Sequence, residues 1–184
     1  ISYTSAADGS SSGTESVDTG GESADVAGRT MIIHDHNGAR VACAILGAVT
    51  QVPLTAAGFV KYYSYAGDLA VAGTVGPMTT AGTAQSFAYQ LSGVDPACST
   101  GAASGVSNSC GIHIHVGMSC TADAGGHYYA GAVTSDPWAS VTYTSTGSTT
   151  SGSHTVDTGG VSSDVIGRTM IIHDHGGGRI ACAI

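Results

Sequence analysis

The chain is expected to be all-β, a Greek-key β-sandwich or flattened barrel built from tandem repeats. Three observations predict it. Short runs rich in β-branched and aromatic residues recur between clusters of Gly, Pro, Asp and Ser. No stretch carries the apolar period of an amphipathic helix. One segment is also written twice, as RTMIIHDHNGARVACAI at 29–45 and as RTMIIHDHGGGRIACAI at 168–184.

In chain order the expected strands include KYYSYAG (61–67), SFAYQLSG (86–93), GIHIHVGM (111–118), ASVTYTS (139–145) and RTMIIHDH (168–175). Many short strands at turn-punctuated intervals favour two packed sheets. The repeat extends backward from the duplicated segment. ISYTS at 1–5 parallels VTYTS at 141–145, and VDTGG at 17–21 parallels VDTGG at 156–160. Between these matches the offset slips by one residue in a Ser/Gly/Thr-rich stretch, as an exposed loop tolerates. Residues 1–45 therefore read as the closing third of one unit of about 140 residues, an ordinary domain length. Residues 46–57 (LGAVTQVPLTAA) read as a linker stiffened by Pro53, and 58–184 as a complete unit. The opening ISYTS, already strand-like, is expected to continue a longer array.

Composition excludes several partners. Charged residues make up 10%, against roughly 25% in an ordinary soluble domain. With a formal charge of -8 and Lys61 as its one lysine, the chain lacks the clustered cations that phosphates or an anionic membrane require. No apolar run approaches the roughly 18 residues of a membrane helix. Five cysteines in a lysine-poor, β-rich chain point to an extracellular or cell-surface setting. Cys98 and Cys110 bracket the loop before the first histidine pair and are expected to close it. The stretches SSSGT (10–14) and TSTGSTTSGS (144–153) are candidates for O-linked sugars.

Eight histidines are many for this length, and their placement carries chemistry. His113 and His115 lie two apart, so on a strand both rings project from one face, the spacing for two ligands of one metal. His127 follows in the Gly-flanked GGHYY, and His173 in MIIHDH. An isolated HxH pair is more commonly a packed or surface feature; four imidazoles without a thiolate among them suit copper or zinc. Asp174 and His175 read either as groups that orient His173 or as polar residues of the outer face. His154, in a Ser/Thr-rich loop, reads as solvated.

The order GIHIHVGMSC, AGGHYY, DVIGRTMIIHDHGGGRIACAI resembles the Cu,Zn superoxide dismutase family, whose pattern runs G-F-H-x-H, G-x-H-F/Y, G-R-x-x-x-x-H, G-x-R-x-A-C-G. The likeness covers nearly all of 58–184, the strands of 69–94 fitting less specifically. It implies that His113, His115, His127 and His173 ligate copper, and that Arg179 attracts and orients the superoxide anion. It also implies a disulfide between Cys120 and Cys182. His34, Arg40 and Cys43 stand at the equivalent positions of the partial repeat. The zinc-binding members carry two further histidines and an aspartate after the third copper ligand. Here AGAVTS contains no histidine, Asp136 is displaced by about one residue, and zinc is not expected. The charged electrostatic loop is also missing, which with the net charge leaves little long-range steering. Both absences resemble the copper-only branch, including its tandem-repeat members.

The function so implied is an extracellular copper-only superoxide dismutase repeat, converting superoxide to oxygen and hydrogen peroxide. Two alternatives stand beside it: a structural subunit of an extracellular fibre of stacked repeats, with or without copper, and copper binding without turnover. Expected partners are superoxide and neighbouring repeats or like chains, residues 1–45 completing another domain and Cys43 pairing within it.

Overall fold

The computed structural model describes residues 1–13, 16–21, 23–26, 28–46 and 54–184. The chain divides into two compact units, Ile1–Thr50 and Gln51–Ile184. Most of the expected linker, including Pro53, lies outside the described residues. Its last four residues, by contrast, form a strand.

In the first unit, helix α1 (Ser23–Val26) precedes a two-stranded antiparallel hairpin of β1 (Thr30–His34) and β2 (Arg40–Ile45). Thr30 pairs with Ile45 and His34 with Arg40.

The second unit contains β3 (Leu54–Ala57), β4 (Val60–Lys61), β5 (Ala72–Ala81), β6 (Ala84–Ser92), a 3-10 turn (Pro96–Thr100), β7 (Ile112–His115), β8 (Thr149–Asp157), α2 (Ser162–Val165), β9 (Thr169–His173) and β10 (Arg179–Ala183). These strands form two four-stranded antiparallel sheets, ordered β4-β10-β9-β7 and β3-β5-β6-β8. Neither closes into a barrel among the described residues. Strand β6 shows the half-buried alternation of a two-sheet stack: Gln85, Phe87, Tyr89 and Leu91 are buried, and the residues between them are half-buried or exposed. One core cluster joins Val75, Phe87, Leu91 and Val156 of one sheet to Ile112, Met170, Ile172 and Ile180 of the other.

Strands β7 and β9 are instead buried on both faces. Ile112 and Ile114 enter the main core, so the two-residue period sends His113 and His115 to the opposite face of the sheet. Loop 116–145 covers that face. Its anchor is Trp138, fully buried, whose indole N–H donates to the Tyr128 carbonyl at 2.7 Å.

Three sequence expectations differ from the structure. Of the strand expected at KYYSYAG, only Lys61 is extended, at the end of β4, and a turn follows. ASVTYTS forms no strand; it is held by an isolated bridge between Gly111 and Thr142 and by the Tyr143 amide donating to the Cys110 carbonyl at 2.8 Å. Residues 54–57, expected in the linker, pair as β3 with β5 and form the edge of that sheet.

Candidate metal centre

Three elements bring four imidazoles together. His113 and His115 come from β7, His173 from the end of β9, and His127 from the covering loop, where an antiparallel bridge sets it opposite His115. One nitrogen from each ring lies within 4.8 Å of the other three. His113, His115 and His173 are at most 1% exposed, and the His127 side chain is 9% exposed.

The other nitrogen of each ring is held by a hydrogen bond. His113 Nε2 meets the Val141 carbonyl at 2.9 Å, His115 Nδ1 the Gly125 carbonyl at 2.9 Å, and His173 Nδ1 the Gly177 carbonyl at 3.0 Å. His127 Nδ1 meets Asp136 Oδ2 at 2.6 Å. A carbonyl or carboxylate can only accept, so each held nitrogen carries the proton and the other keeps its lone pair. Among the described residues, the inward atoms of the three buried rings, His113 Nδ1, His115 Nε2 and His173 Nε2, have no hydrogen-bond partner. Leaving a buried polar atom unsatisfied costs about 1–3 kcal/mol. Three such atoms aimed into one cluster describe a cation site, and the oriented outer N–H groups are the arrangement that fixes metal-binding imidazoles.

Electrostatics point the same way. Burial, reinforced by the neighbouring imidazoles, pushes His113 down to about 2. Burial pushes His115 down to about 3 and His173 to about 4. These rings are therefore neutral at physiological pH, the form in which imidazole ligates a metal.

Two glycines make room for the cluster. A Cβ on Gly111 would lie 2.3 Å from Cε1 of His113. Gly177, at φ +81°, supplies the carbonyl that holds His173, and a Cβ there would lie 2.2 Å from the Ser107 carbonyl oxygen. A side chain at either position collides with the frame of the site.

No protein-family model matches the chain, and no curated protein matches it. It is a mostly β protein with a buried four-histidine cluster able to hold a metal ion. Two disulfides brace the cluster's surroundings, consistent with a secreted protein. Cys98–Cys110 closes the loop before β7, with Cα atoms 5.8 Å apart, and Cys120–Cys182 ties the covering loop to β10, with Cα atoms 5.6 Å apart.

Arg179 stands at the start of β10. Its guanidinium donates to Asp123 Oδ1 at 2.7 Å, to the Tyr62 hydroxyl at 2.8 Å and to the Gly125 carbonyl at 2.6 Å. Gly125 thus receives both Arg179 and His115, linking the cation to the cluster. A cavity of about 710 Å³ opens beside them, with His127, Arg179, Asp136 and Tyr129 in its lining.

Residues 174–175 hold a turn rather than the metal-facing imidazole. Asp174 Oδ1 accepts the Gly178 amide, the His175 amide donates to Asp95 Oδ2, and His173 is oriented by Gly177 instead. His154 is not in a solvated loop: it sits in β8, stacked on Tyr89, with Nε2 at 3.0 Å from the Thr142 carbonyl. Its alternation with Val156 carries it inward. Sequence reasoning gave Asp136 no role and had no means of finding the three carbonyls, because a backbone oxygen leaves no mark in residue identity.

Proposed function

We propose that residues 54–184 form a copper-binding, superoxide dismutase-like Greek-key domain that converts superoxide to oxygen and hydrogen peroxide. The observation that supports this reading most is the convergence of four imidazole nitrogens, three of them buried without partners, on one point beside an open cavity and a cation. The histidine motifs of the sequence supply the choice of copper, which an all-imidazole set accommodates.

His113 would hold the metal through Nδ1, and His115, His127 and His173 through Nε2. Copper bound there supplies a one-electron carrier, so that one superoxide is oxidised to oxygen and a second, with two protons, is reduced to hydrogen peroxide. The protein's own residues do the remainder. Val141, Gly125 and Gly177 fix three rings in their tautomers, and Asp136 fixes the fourth. Arg179 presents a positive charge at the cavity wall, and its three hydrogen bonds hold it in place for an arriving anion. Asp123 offsets part of that charge, so the attraction is local.

Copper analysis with a superoxide-consumption assay on the wild-type protein and on His115→Ala tests the proposal. The expected result is copper-dependent activity that His115→Ala removes. Copper-replete protein without activity would leave metal binding and remove the enzyme; protein that takes up no copper would remove both. A second reading, a bead in an extracellular array, is favoured by the exposed apolar residues of the first unit's hairpin. It is compatible with the first.

A further inference from the structure

The hairpin of the first unit repeats the principal hydrogen bonds of the closing hairpin of the second. His34 Nδ1 meets the Gly38 carbonyl at 2.9 Å, as His173 Nδ1 meets that of Gly177 at 3.0 Å. The Tyr3 hydroxyl donates to the His34 carbonyl at 3.0 Å, as Tyr143 donates to that of His173 at 2.7 Å. Asp35 Oδ1 accepts the Ala39 amide at 2.8 Å, as Asp174 Oδ1 accepts that of Gly178 at 2.7 Å. Arg29 Nε reaches the Asp25 carbonyl as Arg168 Nε reaches that of Asp164.

What differs is the cover. Met170, Ile172 and Ile180 are 3%, 0% and 0% exposed, while their counterparts Met31, Ile33 and Val41 are 50%, 39% and 56% exposed. Cys182 is bridged to Cys120, while Cys43 is an exposed free thiol. A Cβ on Gly177 would meet the Ser107 carbonyl, while one on Gly38, at nearly the same φ of +82°, would meet nothing within 4 Å among the described residues. The conformation is already formed, and of the strand positions that β9 and β10 bury, all but the half-buried Ile32 are exposed in the first hairpin.

The second unit shows what covers such a hairpin. Strand β7 runs along β9, β4 along β10, and the core residues of β5 and β6 lie beneath them. We infer that the 30–45 hairpin is a docking surface for a further copy of the ligand-bearing segment, one equivalent to residues 54–139, and that the union completes a second four-histidine centre with His34 as a ligand. A chemically unrelated partner has no need of His34 held through Nδ1, of Arg40 paired with it, or of a thiol at the position equivalent to Cys182. The docking rests on burial and pairing alone; only the metal content of the second centre rests on the copper reading.

The test fuses a copy of residues 54–139 ahead of Ile1 in the full chain. Copper per chain and the reactivity of Cys43 toward a maleimide are then compared with the unfused protein. Expected are a Cys43 that no longer reacts, bridged to the inserted copy of Cys120, and copper rising from one to two per chain, returning to one in the fusion carrying His34→Ala. A protected Cys43 without added copper would uphold the docking and count against the metal. A Cys43 as reactive as before would overturn the docking. Disulfide mapping of the protein from its own source decides independently of how the fusion folds. Cys43 bridged to a cysteine that follows an HxH segment supports the inference, and a free Cys43 in that material refutes it.

Discussion

Acid should unfold the copper-free protein through its buried histidines. The folded values of His113, His115 and His173, about 2, 3 and 4, lie below the 6.5 of an unperturbed imidazole. As pH falls below about 6.5, the unfolded chain therefore takes up protons that the folded chain refuses, and stability is lost continuously towards the folded values. It is fully present above that pH. Each differential proton is worth about 1.4 kcal/mol per pH unit, so the three rings together reach a slope of about 4 kcal/mol per unit. At pH 5 the accumulated loss is on the order of 6 kcal/mol, comparable with the whole stability of a typical domain. His154, which burial also lowers, adds to the loss in the same window, whereas Asp123 and Asp157, whose carboxyls are lowered by hydrogen bonds, act only below the ordinary carboxylate range. Urea titrations of disulfide-intact, copper-free protein at pH 7.5, 6 and 5 (conditions spanning roughly the imidazole range) measure the slope. His115→Gln should reduce it by about one proton. A stability unchanged between neutrality and pH 5 would refute the argument that these rings are buried and neutral.

Other perturbations test the frame of the site. Asp136→Asn leaves a single acceptor oxygen for two donors, His127 Nδ1 and the Trp138 amide, and should weaken copper binding about 10- to 100-fold with the fold intact by circular dichroism, since losing such a partner has that typical cost. Gly111→Ala places a methyl against the His113 ring and should lower copper occupancy more than thermal stability, read by metal analysis beside a melting curve. Replacing Cys98 and Cys110 together by serine opens the loop before β7 and should cost about 2–4 kcal/mol in urea unfolding. An unchanged midpoint would show that the loop before β7 is held without that bridge.

The parts of this protein legible in its sequence are those that follow from period and repetition. Two histidines two apart on a strand must share a face, and β7 turns that face away from the core because Ile112 and Ile114 claim the other. The repeat likewise anticipates two hairpins of the same shape, with His34 and His173 at equivalent corners. Legibility fails where long-range pairing or a backbone oxygen decides. Leu54–Ala57 ends in two alanines, weak strand formers, and becomes a strand through its partner β5. Residues 141–145 look like a strand and are spent instead on carrying the Val141 carbonyl to His113 and the Tyr143 hydroxyl to His173. Asp136 was visible as a carboxylate, but its reach to His127 depends on the turn in which it also accepts the Trp138 amide. Exposure of Met31, Ile33 and Val41 was equally out of reach, because Met170, Ile172 and Ile180, the same or a closely similar residue, are buried in the second copy.

The measurement closest to the central claim is a copper(II) titration of the intact chain followed by electron paramagnetic resonance. One ion per chain, with hyperfine coupling to imidazole nitrogens that changes in His115→Ala, is the predicted result. Copper that binds without nitrogen coupling, or a spectrum that His115→Ala leaves unaltered, would contradict it.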